Sequence, residues 1–270
     1  SIADRCQAEG LAAEIFVVDN GSSDGSVASV EAFSHTHPGL VTIIRLEANR
    51  GTTSTRNLAL RRARSPFVCV IDSDTEMISG AIRPILDRLS ADRDLAIVAP
   101  RLVLADGTIQ HSVKRFPTFI DKLRKVPRIV LGRSVPRTDF YGTFPFDRAT
   151  PVETAISACW FFRSDLLDSV GLLDEGIFYA PEDLDYSARI REAGKYILYD
   201  PNLMLLHHTQ QISHRHPLSR VSLSHLKGLV RYHRKHGGWI RQRAALAGRL
   251  PAAEPRQAHR TEGLSGEVVC

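Results

Sequence analysis

An open α/β fold with a mainly parallel central sheet and flanking helices is what this 270-residue sequence predicts, and three observations carry that reading. Short apolar runs rich in β-branched residues recur at Glu14 to Asp19, Val41 to Leu46 and Phe67 to Asp72, each too short for a helix and closed by polar turn residues. A helical pattern follows each run, as right-handed βαβ units on a parallel sheet require. The third run ends in Asp72-Ser73-Asp74, two carboxylates at the carboxyl end of a buried strand, where open α/β sheets bind ligands.

The elements follow in order. Residues 1 to 9 read as the last turns of a helix. The strand at 14 to 19 leads through Asn20-Gly21-Ser22-Ser23-Asp24-Gly25 into a helix at about 26 to 33. The strand at 41 to 46 and the turn Asn49-Arg50-Gly51 precede a helix at about 53 to 64, which runs into the strand at 67 to 72. A helix at about 80 to 89 and a strand at 95 to 99 continue the alternation. Residues 101 to 154 are less regular, with a hairpin signal at Asp106-Gly107 and prolines at 117, 127, 136, 145 and 151. A strand at 155 to 162, a short helix at 164 to 170, a helix at 181 to 193 opened by Pro181, and short strands at 196 to 199 and 203 to 207 follow. A helix over 218 to 236 carries Val221, Leu226, Leu229 and Val230 as an apolar stripe, and the chain loosens beyond Gly248.

Composition narrows the function classes. A 43% hydrophobic and 24% charged chain is an ordinary globular one, and no apolar run approaches the roughly 18 residues of a membrane span. Cys6, Cys69, Cys159 and Cys270 are scattered, so reduced thiols and a cytosolic setting are the simpler reading. Between residues 214 and 260 eleven Lys or Arg (215, 220, 227, 231, 234, 235, 241, 243, 249, 256, 260) face the single acid Glu254, so the net charge of +5 belongs to this tail. Such a tail suits an anionic membrane surface or nucleic acid, or is a solvated basic face that binds nothing in particular. Nucleic acid is not expected, because interleaved aromatics are lacking apart from Tyr232 and Trp239.

Four constellations carry chemistry. Asp72 and Asp74 repel each other unless a cation compensates, and a hard Mg²⁺ or Mn²⁺ ion takes one or two carboxylates together with a substrate's phosphates. Asp19 and Asn20 stand at a strand end beside small turn residues, where a carboxylate accepts from a base imide or a ribose hydroxyl. Arg50 and Gly51, with Arg56 and Asn57, begin a helix whose amides and cations suit a phosphate or a base edge. In Phe178-Tyr179-Ala180-Pro181-Glu182-Asp183-Leu184-Asp185 the acids occupy a first helical turn. The dipole favours them there, and Asp185 with Arg189 at i,i+4 reads as a surface pair. The aromatic approach to Asp183 walls a partly desolvated pocket, where a carboxylate moves toward a base's working range.

Taken together, Val17-Val18-Asp19-Asn20-Gly21-Ser22-Ser23-Asp24-Gly25-Ser26, Asn49-Arg50-Gly51 with Arg56-Asn57, Ile71-Asp72-Ser73-Asp74, Gly171-Leu172-Leu173-Asp174-Glu175 and Glu182-Asp183-Leu184-Asp185 resemble the family 2 nucleotide-sugar glycosyltransferases, especially bacterial rhamnosyltransferase-like members. The resemblance implies a GT-A fold and inverting transfer of a sugar, rhamnose among the candidates, from a nucleoside diphosphate donor to a cell-envelope polysaccharide or lipid-linked glycan. In that reading Asp19, Asn20, Arg50, Gly51, Arg56, Asn57, Asp72 and Ser73 hold the donor. Asp74 and Asp72 bind Mg²⁺ or Mn²⁺ with His208, chosen by its spacing to Ser213, and Asp183 is the general base. Trp160, Glu182 and Asp185 are candidate acceptor or sugar contacts. A zinc site at His207, His208, His214 and His216 has irregular spacing against it.

The resemblance also implies a first strand and helix ahead of residue 14, the strand central in the sheet, which this sequence does not contain. Residues 1–213 form the transferase domain, with a nucleotide-binding half at 1–100 and an acceptor-binding half at 101–213. A basic amphipathic helical extension at 214–248 and a flexible tail at 249–270 follow. The expected setting is the cytoplasm, peripheral to the inner membrane face. The competing readings are a non-catalytic nucleotide-sugar-binding protein and an N-terminally truncated, inactive transferase.

Overall fold

The computed structural model describes residues 1–123, 141, 143–208, 220–241, 246 and 248–254. Helix α1 (Ile2–Ala8) precedes β1 (Ile15–Asp19), α2 (Ser26–Thr36), β2 (Val41–Arg45), α3 (Thr52–Leu60), β3 (Phe67–Ile71), β4 (Thr75–Ser79), α4 (Arg83–Ala91) and β5 (Leu95–Val103). Then come β6 (Val113–Lys114), α5 (Phe119–Leu123), β7 (Thr150–Val152), β8 (Thr154–Ala155), β9 (Cys159–Arg163), α6 (Leu166–Ser169), α7 (Glu182–Glu192), β10 (Tyr196–His207) and α8 (Arg220–His236). Pro127, Pro136, Ser213, His214, His216, the start of the expected helix at Leu218 and the tail from 255 lie outside the described residues.

The sheet is mixed. β1 and β2 pair in parallel as a two-stranded sheet, and β5 and β10 pair in parallel within the central one. Its order is β3-β9-β5-β10-β4, with β7 also on β10, and β9 runs antiparallel to both β3 and β5. Periodicity identifies a strand but carries no direction, so the antiparallel return of β9 was not legible from its own residues. β4, which no apolar alternation announced, pairs antiparallel with β10 and brings Thr75 opposite His207. The two short strands expected at 196 to 199 and 203 to 207 are one strand with a register shift between Asp200 and Met204.

Alternation on β9 divides the core. Trp160 and Phe162 face Leu60, Val152, Tyr186, Ile190 and Tyr199, while Cys159 and Phe161 face Ile85, Leu89, Leu203 and Leu205. A third cluster joins Phe116, Leu184, Ala188, Tyr232 and Leu246, so α8 and Leu246 are part of the packed body. Nor do all residues after 248 run loose: Glu254 pairs with Arg88, and its amide donates to the Ala149 carbonyl at 3.1 Å. No helix among the described residues is long and apolar enough to cross a membrane.

Candidate active site

The Asp72-Ser73-Asp74 turn leaves β3 and is tied down by its backbone. The Asp72 amide donates to the Ala158 carbonyl at 2.9 Å, and Thr75 Oγ1 donates back to the Asp72 carbonyl at 2.7 Å. Across the turn, the His208 amide donates to the Asp74 carbonyl at 2.8 Å, which fixes the end of β10 against it. Ser73 is exposed. Ligand atoms of Asp72, Asp74 and His207 all lie within 4.8 Å of one another. His207 Nε2 stands 3.4 Å from Asp74 Oδ1, and its Nδ1 is 2.8 Å from Gln110 Oε1. Gln110 and Asp74 thus hold the imidazole by its two ring nitrogens, with Nε2 on the side of the carboxylates.

His208, the expected ligand, instead faces Glu76 at 4.0 Å and is more than half exposed. Leu203, Leu205 and His207 are buried in alternation, and that period of two is the signal that selects His207.

The second acidic centre opens α7. Glu182 is buried, with its Oε1 accepting from Ser157 Oγ at 2.8 Å and from Arg56 Nη1 at 3.3 Å. Burial and the neighbouring Asp183 charge push its carboxyl up to about 7, against the pull of Arg56 and Ser157. Asp183 is half-buried, and its Oδ1 accepts from the Leu184 amide at 2.8 Å. Among the described residues no hydrogen bond reaches its Oδ2.

Arg56 joins the two centres, since its Nη2 donates to Asp72 Oδ1 at 2.5 Å. The bridging Ser157 escapes sequence reasoning because a lone serine before a strand has no local mark. Tyr179, at the mouth, has its hydroxyl pKa raised by burial and by the charges of Glu182, Asp72 and Asp74.

Helix α3 carries this bridge to the 20–25 and 49–51 loops. Asn20 Nδ2 donates to Asn49 Oδ1 at 2.9 Å and Asn20 Oδ1 accepts from the Arg50 amide at 2.8 Å, which ties the 20–25 and 49–51 loops together. Asp19 Oδ1 caps the Ser22 amide at 3.1 Å, and the Arg50 side chain is exposed. Gly51 has φ +86°, and a Cβ there would lie 2.3 Å from the Phe178 carbonyl, which accepts from the Thr52 amide at 2.8 Å. The glycine therefore serves the close approach of α3 to the segment leading to Asp183.

Three expected contacts are spent elsewhere. Asn57 is fully buried; its side chain bonds both the amide and the carbonyl of Leu173 and reaches Glu175, so it holds that loop. Trp160 is core, stacked on Tyr186 with centroids 5.8 Å apart. Asp185 is 1% exposed. Arg189 reaches it at 3.0 Å as the i,i+4 spacing suggested, but Lys235 and His236, each at 2.8 Å, bury the pair under α8.

Residues 1–171 match the family model described as glycosyl transferase family 2. An N-acetylglucosaminyl-diphospho-decaprenol L-rhamnosyltransferase of Mycobacterium tuberculosis (strain ATCC 25618 / H37Rv) is 26% identical over 243 residues, which cover 84% of this chain and 76% of that protein. The succinoglycan biosynthesis protein ExoU of Rhizobium meliloti (strain 1021) is 33% identical over 134 residues, 48% of this chain and 39% of its own. A crystal structure of GalNAc-T7 with UDP, GalNAc and Mn²⁺ superposes with a TM-score of 0.58 at 17% identity, over 82% of this chain and 41% of that one. At that identity the likeness speaks for the fold, which is the GT-A arrangement.

Proposed function

The chain belongs to glycosyl transferase family 2, and from that membership we propose that it transfers a sugar from a nucleoside diphosphate donor to a hydroxyl of a cell-envelope polysaccharide or lipid-linked glycan, inverting the anomeric centre. One observation supports this reading above the others: a single guanidinium, Arg56, connects a ligand-type cluster of Asp72, Asp74 and His207 to an acid pair, Glu182 and Asp183. In-line displacement needs both kinds of centre, one beside the leaving diphosphate and one beside the attacking hydroxyl.

Asp183 is the base. Its Oδ2 takes the acceptor's hydroxyl proton as that oxygen bonds the anomeric carbon, and the bond to the diphosphate breaks with its electron pair leaving on phosphate oxygen. Glu182 is less suited, because its buried carboxyl is engaged by Ser157 and Arg56. Arg56 holds Asp72 in place and keeps the two acidic centres from repelling each other.

Asp74, Asp72 and His207 would hold the divalent ion. Two carboxylates and an imidazole held from behind by Gln110 fit Mn²⁺ and, with more water in the shell, Mg²⁺. When bound, such an ion neutralises the charge that develops on the leaving diphosphate. The mycobacterial relative's name joins a rhamnosyl donor to a polyprenol-linked acceptor, and the same pairing is the first to assay for this chain. Peripheral attachment to the inner membrane face would bring such an acceptor within reach.

The test is Asp183→Asn. Turnover against a panel of nucleotide sugars should fall by about 10²- to 10⁴-fold, the usual weight of general-base catalysis, with nucleotide affinity in Mn²⁺ unchanged. Undiminished turnover would remove Asp183 as the base. Tight binding without turnover of any donor by the parent chain would favour a binding protein.

A further inference from the structure

We propose that helix α8 is a built-in brace for the Glu182–Asp183 turn, with Gly228, Lys235 and His236 as positioning residues. The proposal rests on Asp183 being the base. It gives the basic extension, which sequence reads as a membrane handle, a role inside the reaction.

Contacts from four residues of α8 carry it. A Cβ on Gly228 would lie 2.1 Å from the Ala180 carbonyl oxygen and 3.1 Å from Pro181 Cδ, so the α8 backbone abuts the two residues before Glu182. A glycine inside a helix is destabilising relative to alanine; here it permits that approach. Upstream of the turn, Arg231 donates twice to Asp174, at 2.9 and 3.0 Å, and lies where a Cβ on Gly176 would be. Downstream, Asp185 receives Lys235 and His236, each at 2.8 Å, and His236 Nδ1 reaches Glu192 at 3.1 Å. Lys235 also contacts Asp174 at 3.1 Å, so one ammonium clips the two flanks of the turn together.

His236 and Asp185 are each 1% exposed, and Tyr232 packs beside them against Leu184 and Ala188. Both aspartates are held ionised below the usual carboxylate range. Burial opposes this in each, and the bonds from α8, with the Gly176 amide at Asp174 and Arg189 at Asp185, outweigh it. Within the turn, and among the described residues, only the Leu184 amide donates to Asp183. Its aim therefore depends on this frame, and a shift of about 1 Å is enough to cost two orders of magnitude in a positioned reaction.

The decisive variant is Gly228→Ala. Alanine favours the helix, but its methyl must push α8 off the Ala180 carbonyl. The expected result is a fall in kcat of tenfold or more, with donor KM and Mn²⁺ affinity within twofold of the parent. His236→Ala should behave likewise, and His236→Gln, which keeps a donor for Asp185, should recover most of the loss. Should Gly228→Ala not fold, Lys235→Met, at a partly exposed position, should lower kcat three- to tenfold and Lys235→Arg should restore it. A kcat within twofold in these variants overturns the brace, as does a loss shared equally by KM and metal affinity. Amide exchange separates this idea from the assignment of the base: residues 174–186 should exchange at least tenfold faster in His236→Ala, whichever acid proves to be the base. Unchanged protection overturns the brace, whereas full turnover in Asp183→Asn overturns only the base.

Discussion

Arg56 meets Asp72 at 2.5 Å while the other end of its guanidinium lies 2.7 Å from Ser157 and 3.3 Å from Glu182. Burial opposes the charge on Arg56, but Asp72 and Glu182 outweigh it and raise its pKa. The planar fork is what allows one cation to serve two carboxylates. Arg56→Ala should lower kcat/KM about 10²-fold, because it leaves two acids facing each other without compensation. Arg56→Lys should fall in between, keeping the charge and losing the fork. Asp72 is about one-third exposed, so water relieves part of the loss and the stability cost should be about 1–2 kcal/mol, read as a drop in Tm.

The two adjacent histidines separate cleanly. His207→Ala should weaken Mn²⁺ binding by tenfold or more, measured by titration with a nucleoside diphosphate present, while His208→Ala should leave it within twofold. Gln110 is expected to act through His207, by holding its ring in place. Gln110→Leu should weaken the ion about tenfold, the lower end of what partners behind a metal ligand contribute. Equal effects from His207 and His208 would contradict the assignment.

Glu182 makes stability depend on pH in a stated direction. Its carboxyl is raised to about 7 by burial and by Asp183, whereas an unfolded glutamate titrates near 4.3. Between those values the folded chain binds more protons than the unfolded one, so stability from this group falls as pH rises from about 4 to 7 and levels off above. Glu182→Gln mimics the protonated form and keeps an acceptor for Ser157 and Arg56. Its Tm should exceed the parent's at pH 8 and converge with it near pH 5. Asp174 and Asp185, held low, act oppositely and contribute stability that is lost as pH falls toward their lowered values.

How legible this site was depended on how local each signal is. The Asp72–Asp74 turn and the Glu182–Asp183 helix start were legible because strand length, a polar stop and a first helical turn are written in adjacent residues. Asn57, Trp160 and Asp185 were misread for the opposite reason. Their partners, Leu173, Tyr186 and His236, stand 116, 26 and 51 positions away, and nothing near them says that a polar or aromatic side chain is already occupied. Strand direction was hidden in the same way, since β9 is defined as antiparallel only by neighbours from elsewhere in the chain.

The docking of α8 also decides which of its residues remain for a membrane. Tyr232, His233 and His236 turn inward, and Arg231 and Lys235 are engaged by Asp174 and Asp185. Leu223 and Leu226 stay more than half exposed, Lys227 and Arg234 nearby on the helix are open to solvent, and Ile240 beyond it is more open still, whereas Trp239 packs on Phe119 and His233. An apolar strip edged by cations is what an anionic bilayer surface takes up, each basic side chain near it adding about 1 kcal/mol. Leu223→Ser with Leu226→Ser should cut sedimentation with phosphatidylglycerol vesicles by tenfold or more and leave kcat on a soluble acceptor analogue unchanged. Lys227→Gln with Arg234→Gln should weaken the same binding and flatten its salt dependence. If neither pair alters vesicle binding, this face is not the membrane contact.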